Sequence, residues 1–207
     1  MNDITERYNF YCRTHSDINE HLPTLRHYAT KCESVMETGV RGCISSWALL
    51  DGLLHNGSEK KHLFLNDIQP CNIAKLLELN GELPSPVNID YAWRNNLELD
   101  LKQSYDMIFI DTWHVYAQLK RELEKFSPIT NKYIIMHDTT VDEVHGETIR
   151  CGWNAAKQSK ETGFPVDEIN CGLGKAITHF LEAHPEWELL VKYTNNNGLT
   201  VLNRKKN

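Results

Sequence analysis

From Ser34 onwards, the chain alternates between short apolar runs rich in β-forming residues and segments whose apolar positions recur at helical spacing. Strands that alternate with helices predict βαβ units, in which helices cover both faces of a mostly parallel sheet. The predicted strands lie near Ser34–Glu37, His62–Leu65, Val87–Ile89, Met107–Ile110 and Tyr133–Met136, and the predicted helices lie near Ser45–Leu54, Ile73–Leu79 and Tyr116–Phe126.

Three other segments depart from this alternation. Residues 1–30 have a loosely helical spacing, which predicts a helical N-terminal extension. Residues 142–172 are polar and turn-rich, with a single helix predicted near Trp153–Lys160. Beyond them, the apolar spacing of Lys175–Ala183 predicts a further helix. Two of the tryptophans outside these segments, Trp47 and Trp187, are assigned to the core.

The last part of the chain predicts a β-hairpin. The segments Glu188–Tyr193 and Leu199–Asn203 flank the run Asn195-Asn196-Asn197-Gly198. Asn and Gly tolerate positive φ, which tight hairpin turns require. The predicted fold is therefore α/β, with a mostly parallel sheet closed by an antiparallel hairpin.

Composition and charge restrict the class of protein. With 207 residues, of which 41% are hydrophobic and 24% charged, the chain is expected to form a single domain over residues 1–207. The net charge of -6 argues against a general affinity for nucleic acid or anionic membrane. No apolar run approaches the roughly 20 residues of a membrane span, and the start lacks a signal-peptide pattern, so a cytoplasmic protein is expected. The six cysteines form no CxxC pair, which argues against zinc-knuckle and thioredoxin-type sites.

Polar residues follow three of the predicted strands. Glu37 ends the first strand, Asp111, Trp113 and His114 follow the fourth, and His137-Asp138 follows the fifth. Ligands bind at the carboxyl edge of an open α/β sheet. We therefore expect a functional site at this edge.

The loop after the first strand carries Gly39 and Gly42 ahead of a helix, so its backbone can approach a ligand at the helix N-terminus. A tight turn in which Gly39 only serves packing is the alternative interpretation. The loop lacks the third glycine of a dinucleotide-binding fingerprint, which argues against a nicotinamide-dependent oxidoreductase. Asp67, after the second strand, lies where an acidic group can bind both hydroxyls of a ribose.

Together these segments resemble the class I S-adenosylmethionine-dependent methyltransferases, in particular the branch of macrocin and mycinamicin sugar O-methyltransferases and cephalosporin hydroxylase-like proteins. No single segment carries the resemblance, which rests on their order at successive strand ends. The matching segments are Glu37-x-Gly39-Val40-Arg41-x-x-x-Ser45, Asp67, Asp111-x-x-His114, His137-Asp138-Thr139, Gly172-Leu173-Gly174 through Leu181, Pro185 and Asn197 through Leu202.

The resemblance implies a Rossmann-like, doubly wound sheet of seven strands with the methyl donor S-adenosylmethionine across its first strands. Glu37 and the Gly39 loop would hold the methionine part, Asp67 the ribose, and Trp113 would lie near the adenine. Either Tyr91-Ala92-Trp93 or Asn95-Asn96, after the third strand, could also contact the adenine. The full set of donor-binding residues implied is Glu37, Gly39, Arg41, Ser45, Asp67, Ile68, Asp111 and Trp113. For Arg41, a surface or salt-bridged residue is the alternative.

The resemblance also implies O-methylation of a small-molecule hydroxyl, with a sugar or glycoside as the favoured acceptor. Asp111, Asp138 and His137 would hold Mg²⁺ or Mn²⁺, and His114 would be the general base. The family often has Glu-Asp or Asp-Asn where this chain has His137-Asp138, so the metal requirement stays open. Taken singly, Asp111 can be interpreted as a strand-end residue that caps the next helix, and His114 or His137 as a hydrogen-bonded, half-buried histidine.

Two other functions stay open. A non-catalytic module that binds S-adenosylmethionine or its product is one, and a catechol-type O-methyltransferase is the other. Sugars are favoured because His114 stands where catechol-type enzymes usually have Lys. Residues 142–172 are expected to cover the acceptor site, and a homodimer is compatible with the resemblance.

Overall fold

The structure, a computed structural model, describes residues 2–205. Within this range one seven-stranded sheet has the strand order β3-β2-β1-β4-β5-β7-β6. Strands β1 to β5 are parallel, and β7 is antiparallel to both β5 and β6. The strands are β1 (Ser34–Thr38), β2 (His62–Asp67), β3 (Asn88–Trp93), β4 (Tyr105–Ile110), β5 (Thr130–His137), β6 (Trp187–Tyr193) and β7 (Leu199–Arg204). The predicted fold class is confirmed.

Helices pack on both faces of this sheet. They are α1 (Asp3–Arg13), α2 (Leu22–Ala29), α3 (Ile44–Leu54), α4 (Ala74–Gly81), α5 (Tyr116–Phe126), α6 (Gly146–Arg150), α7 (Ala155–Thr162), α8 (Val166–Ile169) and α9 (Leu173–Ala183), with short 3-10 turns at Asn19–His21, Asn96–Glu98 and Ser127–Ile129. The bounds predicted for α5 are those observed. No helix among residues 2–205 is long and apolar enough to cross a membrane.

Alternate residues of the central strands divide the core into two layers. In β4, Met107 and Phe109 face the cluster that includes α1 to α4, whereas Ile108 and Ile110 face the cluster that includes α5 and α9. All four are buried, as expected for a strand covered on both faces. Trp47 and Trp187 are 4% and 2% exposed, so their assignment to the core is confirmed.

The third strand is longer than its predicted span. Tyr91-Ala92-Trp93 was expected to follow the strand, but it belongs to β3, where Trp93 pairs with Asp67 of β2. The alternation of polar and apolar residues from Asn88 to Tyr91, together with the strand-forming aromatic Trp93, is the strand signal that the shorter span missed.

The C-terminal hairpin forms where it was predicted. Asn196, Asn197 and Gly198 have φ values of 44°, 69° and 96°. Their positive φ lets the chain reverse tightly between β6 and β7. The tip of the hairpin lies against the N-terminal extension, because Asn196 donates to the Ser16 carbonyl at 2.9 Å and accepts from the Glu20 amide at 3.0 Å.

Candidate active site

His114 lies at the centre of a cluster of carboxylates at the carboxyl edge of the sheet. Its Nε2 is 3.1 Å from Asp111 Oδ1, and its Nδ1 is 3.2 Å from Asp138 Oδ2. Asp111 follows β4 and Asp138 follows β5, so the adjacent parallel strands deliver both carboxylates to the ring. His114 is only 13% exposed. The structure thus brings together the predicted base and two predicted metal ligands.

Two more carboxylates lie near the same imidazole, and no sequence pattern predicted either of them. Asp142 Oδ2 lies 3.4 Å and Glu147 Oε2 lies 3.6 Å from His114 Nδ1. Asp142 is buried and accepts two hydrogen bonds of 2.7 Å from the guanidinium of Arg150. Both acids come from the turn-rich segment, where no motif marks them. Gly146 of this segment packs on the His114 carbonyl, where a Cβ would lie 2.9 Å from the oxygen.

The protonation of His114 follows from these neighbours. Burial disfavours the imidazolium, but hydrogen bonds to Asp111 and Asp142 and the charges of Asp111 and Asp138 outweigh it and raise the His114 pKa well above its ordinary value. Burial would likewise raise the pKa of Asp111, yet the two histidines beside it lower that pKa. The cluster therefore holds ionised carboxylates against an imidazolium.

His137 lies on the opposite side of the two aspartates and is 1% exposed. Its Nδ1 is 3.4 Å from both Asp111 Oδ1 and Asp138 Oδ2, and its Nε2 is 3.2 Å from the carbonyl oxygen of Asn196. Burial lowers the His137 pKa, but the neighbouring carboxylates of Asp111 and Asp138 outweigh burial and raise it to about 10. The two carboxylates therefore favour the cationic form of this buried ring.

The cluster has the donor atoms of a cation site. Asp111, His114 and Asp138 each offer one ligand atom within 4.8 Å of the others. Oδ1 of Asp138 is buried, and no other group among residues 2–205 hydrogen-bonds to it. Two carboxylates suit a hard divalent cation, and an imidazole beside them suits Mn²⁺ better than Mg²⁺. These residues fit the implied metal, with Asp111 and Asp138 as its oxygen ligands.

The loop after β1 packs tightly against the end of β4. Gly39 has a φ of 90°, and a Cβ at this position would lie 1.8 Å from the Asp111 carbonyl oxygen. The Gly39 amide donates to Asn66, and the Asp111 amide donates to Thr38, both at 2.9 Å. Gly39 therefore allows close packing of the loop on Asp111, and this packing places the loop beside the carboxylate cluster.

Glu37, at the end of β1, is fully buried and bound to the next helix. The hydroxyls of Ser45 and Ser46 donate to its two oxygens, the second at 2.6 Å. Burial exceeds the effect of these hydrogen bonds and raises the Glu37 pKa to about 8, and the charges of Asp111 and Asp67 act in the same direction. Glu37 is thus a carboxyl group that a nearby cation would help to ionise.

Replacing Glu37 with glutamine is expected to change how stability depends on pH. Because the Glu37 pKa rises from 4.5 to about 8 on folding, the wild-type protein loses stability as pH rises through this window. The loss is on the order of 4 kcal/mol. Urea unfolding at pH 5 and pH 9 should show Glu37→Gln gaining stability relative to wild type at the higher pH. Glu161→Gln, on the exposed face of α7, should show no such gain; equal pH slopes for Glu37→Gln and wild type would contradict the expectation.

Asp67 and Arg41 are joined through the backbone. Asp67 Oδ2 accepts from the Arg41 amide at 2.9 Å, and Oδ1 accepts from Gln69 at 2.8 Å. The Arg41 guanidinium is 75% exposed and pairs with Asp17 at 2.7 Å. The Arg41 side chain is therefore a salt-bridged surface group, as the alternative interpretation of the sequence had it. Its backbone amide holds the Asp67 carboxylate at the carboxyl edge of the sheet.

Exposed apolar side chains lie beside Asp67. Ile68 and Trp93 are 67% and 64% exposed, and the Trp93 indole donates to the Ile68 carbonyl at 3.0 Å. Across the edge, Trp113 lies nearly parallel to Phe164, with ring centroids 6.4 Å apart and planes 12° apart. Asn96 is buried, with both amide atoms hydrogen-bonded within the protein.

Comparison with known proteins adds the fold family. No protein-family model and no curated protein matches the chain. A putative caffeoyl-CoA O-methyltransferase from Staphylococcus aureus superposes with a TM-score of 0.59 at 17% identity, covering 99% of this chain and 93% of that one. The SAH-bound methyltransferase PaMTH1 of Podospora anserina gives 0.58 at 14% identity, covering 100% and 89%.

An O-methyltransferase from Bacillus cereus, in complex with SAH, gives a TM-score of 0.56 at 15% identity and covers 98% of this chain and 90% of that one. Strand order, the antiparallel β7 and these superpositions together show that the chain has the fold of the class I S-adenosylmethionine-dependent methyltransferases. Fold alone does not define chemistry, so the activity depends on the residues of the site.

Proposed function

We propose that this protein is an S-adenosylmethionine-dependent O-methyltransferase that acts on a hydroxyl of a small molecule, with the assistance of a divalent cation. The observation that carries the proposal is the convergence of Asp111, His114 and Asp138 beside the Gly39 loop, at the ligand-binding edge of a methyltransferase fold. A base can take the proton of the attacking hydroxyl, and two cation ligands can hold a metal that orients this hydroxyl and lowers its pKa.

The donor would lie across the ends of β1, β2 and β4. Glu37 supplies a buried carboxyl group for the ammonium of the methionine part. Asp67 faces the ribose hydroxyls, and Ile68 and Trp93 provide exposed apolar surface for one face of the adenine. Trp113 would lie on the opposite side of the adenine. Asn96 would not hydrogen-bond to the adenine, because its side-chain amide is already hydrogen-bonded within the protein.

The chemistry would proceed at His114. A cation held by Asp111 and Asp138 would orient adjacent hydroxyls and lower the pKa of the attacking one. His114 becomes a base only when the charge of these two carboxylates is neutralised, because they otherwise hold its proton. The acceptor oxygen then bonds to the methyl carbon as the carbon–sulfur bond breaks, the hydroxyl proton passes to His114, and S-adenosylhomocysteine leaves.

A sugar or glycoside with adjacent hydroxyls is the acceptor class we propose. His114 stands where the resembling catechol-type enzymes have Lys, and the sugar-modifying branch has His. The partly exposed carboxylates of Asp111 and Glu147 beside His114 also provide hydrogen-bond acceptors for hydroxyls.

One observation favours a second function, that of a non-catalytic module that binds the donor or its product. The rings of His114 and His137 both bridge Asp111 and Asp138, and this pairing already neutralises the two carboxylates. Such a module would bind S-adenosylhomocysteine but transfer no methyl group, with or without metal.

Calorimetric titration with S-adenosylmethionine, in the presence and absence of Mg²⁺ or Mn²⁺, tests the proposed function. We expect a donor affinity on the order of micromolar, and methyl transfer to members of a glycoside panel that a chelator abolishes and added metal restores. Binding without transfer to any acceptor would identify the non-catalytic module, and no binding at all would refute both functions.

A further inference from the structure

Glu122 of α5 is a fully buried carboxyl group that lies outside the cluster described above. Its Oε1 accepts three hydrogen bonds, from Thr112 Oγ1 at 2.6 Å, Asn96 Nδ2 at 2.5 Å and Gln118 Nε2 at 2.8 Å. Gln118 also donates to Asn96 Oδ1 at 3.1 Å. Three donors converging on one buried oxygen form a connected polar network, which restricts the positions of all its members.

This network joins two loops at the carboxyl edge of the sheet. Asn96 belongs to the connection between β3 and β4, and Thr112 belongs to the loop between β4 and α5. One turn further along α5, Lys125 Nζ donates to the carbonyls of Leu97 and Leu99, both at 2.7 Å. Side chains of helix α5 are therefore hydrogen-bonded to both loops, and these loops border the proposed donor site.

A second pair of polar atoms extends the network towards the cluster. Glu122 Oε2 and Trp113 Nε1 are buried, and neither has a hydrogen-bond partner among residues 2–205. Glu122 and Trp113 line one small cavity together with His114 and His137. Apolar side chains, among them Leu119 and Met136, form the rest of the cavity lining, so Glu122 and Trp113 are polar groups that extend from the network to the edge of the cluster.

We propose that Glu122 is a positioning residue, which fixes Thr112 and thereby sets the alignment of Asp111 and His114 with the bound donor and acceptor. Thr112 and Trp113 are the only two residues between Asp111 and His114, so a shift of either is passed on to both. A displacement of about 1 Å at a reacting group can lower the rate about a hundredfold. This inference rests on the proposed function.

Substitutions at either partner, Glu122 or Thr112, remove the hydrogen bond between them. We expect Glu122→Met and Thr112→Val each to lower kcat/KM for the donor about tenfold or more, because each releases the loop. Glu122→Gln and Thr112→Ser keep the acceptor oxygen and the hydroxyl, and should retain most of the wild-type value. The double variant with Glu122→Met and Thr112→Val should have a kcat/KM close to that of the less active single variant, because both substitutions remove the same hydrogen bond.

Asn80→Leu is the matched control. Asn80 makes a comparable buried link, donating to the Val87 carbonyl at 2.8 Å and accepting from its amide at 3.0 Å, at the opposite edge of the sheet. It should lower the melting temperature without changing kcat/KM. Amide hydrogen exchange over residues 111–115 should accelerate in Glu122→Met and Thr112→Val but not in Asn80→Leu.

The outcomes separate this inference from the proposed function. If the wild-type protein neither binds donor nor transfers methyl, the proposed function fails, while the exchange rates still test whether Glu122 fixes the loop. If the wild type is active and Thr112→Val matches it in both kinetics and exchange, the positioning role is refuted. It is also refuted if Asn80→Leu loses as much activity as Glu122→Met. Should Glu122→Met fail to fold, Thr112→Val, which removes one donor only, tests the same link.

Discussion

Replacing His114 with alanine is expected to reduce kcat for methyl transfer about 10²- to 10⁴-fold, the range that a general base contributes. The donor affinity should stay near that of the wild type, because His114 contacts Asp111 and Asp138 rather than the Gly39 loop. Removing the imidazolium also leaves the negative charges of Asp111 and Asp138 without one of their positive partners. The affinity of these carboxylates for a metal should therefore not fall in parallel with kcat. Radioactive methyl transfer, measured beside calorimetry with S-adenosylhomocysteine, checks both expectations.

His145→Ala is the control for this experiment. His145 lies in the same turn-rich segment as Glu147 but is exposed, and no carboxylate lies within ion-pair distance of its ring among residues 2–205. It should leave kcat unchanged. Full activity in His114→Ala would remove the base from the proposed mechanism, and it would favour a non-catalytic or differently catalysed function.

Replacing Gly39 with alanine is expected to destabilise the fold by about 3 kcal/mol or more and to abolish donor binding. The added Cβ would lie 1.8 Å from the Asp111 carbonyl oxygen, and the residue would also have to keep a φ of 90°. Backbone atoms cannot move aside as a flexible side chain can, so the loop and the end of β4 must separate. That separation would move Asp111 away from Asp138. Urea unfolding and a donor titration measure the two effects.

Gly42→Ala, in the same loop, is the matched control. A Cβ at Gly42 meets no atom within 4 Å, and its φ is not positive. Its unfolding free energy should lie within about 0.5 kcal/mol of the wild type. If Gly39→Ala proves as mild as Gly42→Ala, the close packing of the loop on Asp111 is not what holds the site together.

The fold could be predicted because its signals are local. The apolar run of β4 and the helical spacing of α5 lie in one short segment, and the Asn-Gly turn of the hairpin needs no distant partner. Where the local sequence pattern was weak, the predicted bounds of the element were wrong. The edge strand β3 continues to Trp93 because its backbone pairs with β2 as far as Asp67. The short helices α6 and α8 carry too few residues for periodicity to appear.

The candidate site could be predicted only in part. Asp111, His114 and Asp138 follow strands that are adjacent in the sheet, so strand-end position is enough to place them together. Asp142 and Glu147 reach His114 from a turn-rich segment whose path no local pattern encodes. The partners of His137 include the carbonyl of Asn196, which lies 59 residues away.

By itself, the sequence determined the class of fold and the sheet edge where chemistry-bearing residues collect, since hydrophobic periodicity and strand ends are properties of neighbouring residues. Only the tertiary structure decided the charge state of His114 and His137, the packing role of Gly39 and the buried network of Glu122. Each of these depends on contacts between segments distant in the chain, where burial and opposing charges act through space and leave no periodic trace in the sequence.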